Sequence, residues 1–294
     1  MLLELRDVCY TFMSGSPVEV AAVSGVSFAV GAGEMVAMIG PTGSGKSTLT
    51  QIMAGLMAPT SGQVIIDGTD LAGDRKEAAR CRRSIGIIFQ QPEKQLFETT
   101  VEEDVAFWPR NVGIQPELIA GRVRSALRMV GLDYDKFRAR SPFTLSGGER
   151  RKVAIAGTLV MEPGLLIMDE PTVGLDPRSK DDLLETVKAL HRAGTTIVMV
   201  THDLDDVAEL AERVLLLEEG RLVLDAGPRQ VFAAAGLRMR SGSRQAQPVG
   251  EIDLPTAVNI SRLLLERGFA VEGEPLTIEE LVEGILASME RASA

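Results

Sequence analysis

The sequence holds only two cysteines, Cys9 and Cys81. They lack the spacing of a thiolate metal site or a disulfide framework, which fits a chain kept in a reducing cytosol. Both are expected to be small buried apolar residues. Basic residues are also in deficit: 31 Lys and Arg face 41 Asp and Glu, a net charge of −10. That balance argues against a general nucleic-acid coat, because phosphate binding needs clustered cations that displace counterions. Only a local basic patch stays compatible. Long apolar runs are missing as well: none reaches the roughly 18 to 20 residues that span a bilayer. Glu4, Arg6 and Asp7 interrupt the start, where a secretory leader would carry its apolar segment. Any membrane contact is therefore expected to be peripheral.

What is present suffices for a substantial core. The 294 residues are 45% hydrophobic and 24% charged, which suits one large domain or two unequal ones folding without staples. Leu2, Leu3 and Leu5, then Val23 to Val30, read as short strands around the turn-rich Ser14-Gly15-Ser16-Pro17, an antiparallel edge sheet. Apolar runs at Met35 to Ile39, Ile85 to Phe89, Leu165 to Met168 and Ile197 to Val200 each end in a glycine loop or polar residues. Strands of that kind, separated by helical stretches, predict a parallel sheet covered on both faces. A helix is expected over Ser47 to Leu56.

An insertion over about residues 91–160 is helix-rich, most clearly over 112–145, where Val123, Leu127 and Val130 recur at helical spacing before Gly131. A hairpin is expected where Val214 to Leu217 and Leu222 to Leu224 flank Glu219-Gly220. Residues 1–235 would then form the main domain and 236–250, rich in Gly, Ser, Arg, Gln and Pro, a linker. Residues 251–294 would form a small helical unit. Its first helix starts near Pro255 and stops at Gly268, and its second is opened by a capping box of Thr277 and Glu280. Ile278, Leu281, Val282, Ile285, Leu286 and Met289 make an apolar stripe on that second helix that must be buried against something. A helix-turn-helix reader of DNA is the competing view of this unit. Three basic against nine acidic residues speak against it.

Gly40-Pro41-Thr42-Gly43-Ser44-Gly45-Lys46-Ser47-Thr48 matches the P-loop pattern at every defined position, between the strand and the helix that the pattern requires. Glycines let the backbone N–H groups point inward at phosphate, and the helix start adds its positive dipole end. Lys46 is expected at the β- and γ-phosphates, the Ser47 hydroxyl at Mg²⁺, and Thr48 beside a neighbouring phosphate. Kinases, GTPases and transport ATPases share this cradle, so other residues must decide among them. Leu165 to Met168 leads into Asp169 and Glu170, and alternation along a strand sends adjacent side chains to different faces. Asp169 can hold the magnesium through its shell, and Glu170 can polarise an attacking water as general base.

Leu145-Ser146-Gly147-Gly148-Glu149, before a helix expected over Arg150 to Val160, presents a second anion site at a helix N-terminus. Here the sequence resembles the ATP-binding-cassette family, whose signature it matches with Glu149 in place of the commoner Gln. The resemblance covers residues 1 to about 232. It implies a P-loop NTPase fold of class α/β and a nucleotide-sandwiching dimer, in which the signature of one subunit closes on the γ-phosphate held by the partner. It also assigns roles to three further residues. Gln90 contacts magnesium and water and senses the membrane partner, Asp176 of Gly174-Leu175-Asp176 lies at the dimer seam, and His202 of Thr201-His202-Asp203 contacts the γ-phosphate. Adenine stacking needs an aromatic upstream, either Tyr10 or Phe12, with the strand alignment favouring Phe12.

Within the family, Phe89 to Phe107 looks like the ATPases of energy-coupling-factor importers, and Tyr10 to Glu19, Ala154 to Gly157, Met161-Glu162-Pro163 and Asp253-Leu254-Pro255 agree. That likeness implies ATP and Mg²⁺ as cofactors, a place on the cytoplasmic face of the membrane, and uptake of a vitamin or transition-metal ion. The partners it implies are a second ATPase, a paralogue or a second copy, and two membrane subunits: a transmembrane scaffold and a substrate-capturing protein. No nucleic acid is expected. Leu96, Phe97 and Trp108 would either meet the scaffold or pack locally. Competing readings are an exporter motor, and a cassette protein acting on DNA or the ribosome. The second lacks support from any coiled-coil insertion, zinc-binding cysteines or second cassette.

Overall fold

The computed structural model describes residues 1–241 and 253–293. In chain order the strands are β1 (Leu3–Phe12), β2 (Val20–Val30), β3 (Met35–Ile39), β4 (Ser61–Ile66), β5 (Thr69–Asp70), β6 (Ile85–Ile88), β7 (Leu165–Asp169), β8 (Thr196–Val200), β9 (Arg213–Glu218) and β10 (Arg221–Ala226). The helices are α1 (Lys46–Met53), α2 (Arg75–Arg82), α3 (Val101–Asn111), α4 (Pro116–Met129), α5 (Tyr134–Phe137), α6 (Gly147–Leu159), α7 (Pro177–Arg192), α8 (Leu204–Leu210), α9 (Pro228–Ser241), α10 (Thr256–Glu266) and α11 (Ile278–Ser293). The class is α/β, with parallel strands, a separate antiparallel sheet, a helical insertion and C-terminal helices, as expected. Among the described residues no helix is long and apolar enough to cross a membrane.

Contacts divide the chain into two units, one of Met1–Glu34 with Ser47–Val200 and one of Met35–Lys46 with Thr201–Ala294. In the first unit β2-β1-β4-β5 form the antiparallel sheet, with Leu3 opposite Val30 on one side and Ile66 on the other. Leu3, Leu5 and Val8 point inward. β6, β7 and β8 pair in parallel, Ile85 with Leu165 and Leu165 with Thr196. Every residue of β8 is buried, the signature of a strand covered on both faces.

The insertion packs α3 and α4 against α6. Val123 and Leu127 are fully buried there and Val130 nearly so, each such side chain stabilising the packing by about 1.5–3 kcal/mol. α1 stops at Met53, three residues short of the expected Leu56. The Leu56 N–H donates to the Gln51 carbonyl at 2.9 Å and the Gly55 N–H to that of Ile52 at 3.0 Å, with Gly55 at φ +67°. This is a glycine-terminated helix end, which periodicity does not show.

In the second unit β3 pairs with β9 in parallel, Val36 with Arg213, and β10 closes an antiparallel hairpin on β9. The hairpin turns through Glu219 and Gly220, both at positive φ, as the dipeptide predicted. Its core joins Ala37, Ile39, Val207, Leu216, Phe232, Leu254 and Leu276, so the C-terminal helices share apolar packing with the strands of their own unit. α9 runs to Ser241, six residues into the stretch expected as linker, and the rest of that stretch, 242–250, lies outside the described residues.

Two expectations, the capping box and the buried cysteines, are corrected here. The α11 stripe is covered only in part by the chain's own residues: Leu281 is buried, but Ile278, Val282, Leu286 and Met289 are exposed. The capping box is also only half formed, because Thr277 Oγ1 accepts from the Glu280 N–H at 3.3 Å while the Glu280 carboxylate accepts from the Leu276 N–H and from Arg229. Both cysteines are half-buried rather than buried.

Candidate functional site

The phosphate loop lies between β3 and α1, and its conformation is enforced from beneath. Gly40 sits at φ +147°, and a Cβ there would stand 2.1 Å from the Leu217 carbonyl oxygen of β9. No other residue fits without moving that strand. Ser44 is buried, and its carbonyl accepts from the Gly220 N–H of the hairpin turn at 3.1 Å. The Lys46 ammonium donates to the Gly40 and Pro41 carbonyls at 2.7 and 2.9 Å and to Ser44 Oγ at 3.4 Å. It is therefore aimed into the loop rather than out to solvent. Pro41, Thr42, Gly43 and Ser47 are exposed, and Gly45 and Thr48 are half-buried. Leu217 and Gly220 belong to the hairpin that the sequence predicts, but no local pattern ties that hairpin to the phosphate loop.

Asp169 is the last residue of β7, but Glu170 has left the strand. Its φ is +51°, its N–H donates to the Val200 carbonyl at 2.8 Å, and its own carbonyl accepts from the Val173 N–H at 3.4 Å. Glu170 therefore lies outside the strand geometry on which the expected alternation of the two acids rests. Such a conformation is costly for a non-glycine residue and persists where the surroundings over-determine it. Gln90 is exposed and follows β6. One residue outside every motif gathers these segments: Arg151 of α6 donates to the carbonyls of Gln90, Pro171 and Val173.

Ser146 is the N-cap of α6, which begins at Gly147, three residues before the predicted start. Its hydroxyl accepts from the Glu149 N–H at 3.3 Å, and the Glu149 carboxylate accepts from the Ser146 N–H at 2.9 Å. This reciprocal box gives Glu149 a definite task. The bond from the Ser146 N–H holds the Glu149 carboxyl below the usual carboxylate range. Ser146 and Gly147 are exposed, so the start of a 13-residue helix is open to an anion.

Asp176 caps α7, accepting from Ser179 Oγ at 2.6 Å and from the Ser179 N–H at 3.1 Å. Those bonds, the hydroxyl's first, lower its pKa. His202 is exposed between Thr201 and Asp203, and Asp203 caps α8 through the N–H groups of Asp205 and Asp206. Phe12 is exposed, with its ring edge-on to half-buried Tyr10 at 4.9 Å. Phe97 and Trp108 are also exposed and flank Phe107 at 4.7 and 5.7 Å. Leu96, by contrast, is buried, so it packs locally and drops out as an interface candidate.

Among the described residues no cluster of three or more His, Cys, Asp or Glu side chains could hold a metal. Ser47, Gln90 and Asp169 offer a hydroxyl, an amide oxygen and a carboxylate. Hard oxygen donors with a single carboxylate fit Mg²⁺, which is usually completed by water and substrate phosphates rather than an all-protein cage.

Comparison with known proteins follows the same lines. The profile of the family described as ABC transporter matches residues 23–173. The energy-coupling factor transporter ATP-binding protein EcfA2 of Clostridium perfringens is 40% identical over 287 residues, covering 97% of this chain and 98% of its own length. The structure of cbiO1 from Clostridium perfringens, part of the ABC transporter complex cbiONQ, superposes with a TM-score of 0.71 at 35% identity, covering 83% of this chain and 95% of that one. A dimeric ATP-binding cassette, MJ0796, bound to ADP and Pi after hydrolysis, matches with a TM-score of 0.68 at 31% identity over 78% of this chain and 99% of its own.

Proposed function

This chain belongs to the ABC transporter family, and from that premise we infer that it is the ATP-hydrolysing subunit of an energy-coupling-factor importer. The observation that carries the reading is a likeness that runs nearly end to end, C-terminal helices included, at 40% identity to a protein of that name. It works with a second ATPase and with membrane subunits, and the branch favours a paralogue over a second copy as its ATPase partner. It sits at the cytoplasmic face, touching the membrane only through its partners. Phe97 and Trp108 meet a transmembrane scaffold, and the exposed face of α11 meets the other ATPase. The cargo, a vitamin or a transition-metal ion, is captured by a separate membrane subunit.

The mechanism divides the work between two half-sites. Residues Gly40 to Gly45 wrap the phosphates with backbone N–H groups, and Lys46 neutralises the β- and γ-phosphates. Thr48 touches a neighbouring phosphate, and the Phe12 ring stacks on adenine. Ser47, Gln90 and Asp169 hold Mg²⁺, which when bound offsets phosphate charge. Glu170 accepts a proton from the attacking water, while Gln90 and His202 orient that water and the γ-phosphate. Ser146, Gly147 and Gly148 address the γ-phosphate of the partner's nucleotide, and Asp176 lies at the seam between subunits. ATP favours the closed dimer because the signature reaches phosphate only after closure. Hydrolysis removes that preference, and the subunits part, moving the membrane partner.

The test is Glu170→Gln in the full chain. Turnover is expected to fall roughly 10²- to 10⁴-fold while nucleotide binding stays intact and ATP traps a dimer on a sizing column. Undiminished steady-state hydrolysis would remove Glu170 from the role of base.

A further inference from the structure

Arg151 is the only buried basic side chain among the described residues, at 6% exposure. Burying a guanidinium is unfavourable unless its N–H groups are satisfied and a counter-charge is near. Here Nη1 donates to the Val173 carbonyl at 3.0 Å, and Nη2 donates to the carbonyls of Gln90, at 3.3 Å, and Pro171. Its Nε is buried without an acceptor, and Oε2 of Glu93 is buried without a donor. Burial lowers the pKa of Arg151, and the Glu93 carboxylate opposes that shift. A fork of planar donors can grip three carbonyls at once, which a single ammonium cannot.

The identity of those carbonyls is what matters. Pro171 follows Glu170, whose left-handed backbone is held on its other flank by the Val200 carbonyl. Val173 closes the same turn, through its N–H to the Glu170 carbonyl. Gln90 is the residue assigned to water and metal. Arg151 itself rides on α6 five positions after Ser146, a rise of roughly 7.5 Å along the helix. A displacement of the α6 N-terminus is therefore transmitted through one side chain to the backbone that carries both catalytic groups.

We propose that Arg151 is a positioning residue that couples the two nucleotide sites of the dimer. It ties the helix facing the partner's phosphate to the turn that holds Glu170 and to the Gln90 backbone of its own site. This rests on the split-site reading above. Engagement of Ser146 with one nucleotide then sets the alignment of Glu170 for the other.

The experiment compares Arg151→Met, Arg151→Lys and the partly exposed control Lys152→Met in the full-length chain, within the dimer that turns over ATP. Melting temperature, binding of a fluorescent ATP analogue, kcat, KM and the Hill coefficient for ATP are measured. Arg151→Met is expected to lower kcat roughly 10- to 100-fold, since small misplacements of a catalytic group carry that penalty. KM and analogue binding should stay within about two-fold of the parent. The Hill coefficient should drop toward one in both Arg151 variants, because Lys restores charge but not the three-carbonyl grip. Lys152→Met should move none of these.

Cooperativity and kcat unchanged in Arg151→Met would overturn the proposal. So would a variant whose losses all track its melting temperature and are fully restored by Lys, since that marks a purely structural role. Should Arg151→Met fail to fold, the Hill coefficient of Arg151→Lys decides alone. The split-site reading is scored separately, by whether Glu170→Gln traps an ATP-bound dimer with Arg151 intact.

Discussion

Ser146 does two things that can be pulled apart by substitution. As a cap, its hydroxyl accepts one N–H bond from Glu149 at 3.3 Å. Ser146→Ala removes that bond but leaves the Glu149 carboxylate on the residue's own N–H. The loss of a capping side chain costs about 1 kcal/mol, which in a chain of this size lowers the melting temperature by roughly 2–4 °C. Against a total stability of about 5–15 kcal/mol, the folded population hardly changes. If capping were all Ser146 did, turnover would be untouched. As a phosphate contact, losing the hydroxyl should slow turnover about 10²- to 10³-fold, the usual effect of deleting one donor to a reacting oxyanion.

Ser146→Asp separates the two roles cleanly. Asp caps a helix as well as Ser does, and a negative charge at a helix start is favoured by its dipole. The melting temperature should match or exceed that of the parent. A carboxylate set about 4 Å from the partner's phosphate is repelled by about 4 kcal/mol at an effective dielectric of 20, close to a 10³-fold penalty on closure. Stability should therefore rank Asp at or above Ser, then Ala, whereas phosphate release should rank Ser, then Ala, then Asp. Thermal melts and a phosphate-release assay on the three proteins read both orders. A Ser146→Asp variant that hydrolyses ATP at the parental rate would refute the idea that this helix start meets phosphate.

Further outcomes follow from the same geometry. Gly40→Ala should abolish ATP-analogue binding, because its Cβ would sit 2.1 Å from the Leu217 carbonyl and the loop must shift by about 1 Å to relieve it, enough to misplace every inward N–H. Parental affinity in that variant would show that the loop has slack. The lowered pKa of Glu149 implies stability that is fully present above the unfolded carboxyl value and lost as pH falls through the lower folded one. Melts across the acid range should accordingly show the parent losing stability faster than Glu149→Gln, and parallel curves would count against that bond.

Much of the fold was legible because its parallel strands are contiguous apolar runs. Met35 to Ile39 matches β3 to the residue, and β6, β7 and β8 each differ by a single residue. Boundaries slipped where backbone bonds rather than side-chain period set them, as at Gly55 after α1 and at Ser146 before α6. The division into units was illegible for another reason. β3 groups with the C-terminal half through a ladder that pairs Val36 with Arg213, and no local pattern announces a partner that distant. The α11 stripe is legible as apolar, but the surface that covers it is not. Periodicity reports that a helix has an oily face, not which surface covers it.

The proposed site residues rest on motifs, and what a motif cannot supply is how they are held. Lys46 depends on carbonyls of its own loop, which a short pattern can encode. Gly40 depends on Leu217, and the turn at Glu170 on Val200 and Arg151, which it cannot. Glu170 shows why. Its φ of +51° is a conformation where Gly or Asn would relieve about 1 kcal/mol or more of strain. Neither could take a proton from water. Under the role proposed for Glu170, stability and chemistry thus ask for different residues at that position, and the conflict is settled by long-range bonds from Val200 and Arg151 rather than by local preference. A propensity argument run on residues 165–175 alone would have extended the strand or placed a glycine there. The carboxylate is intelligible only once the bonds that hold its backbone are in view.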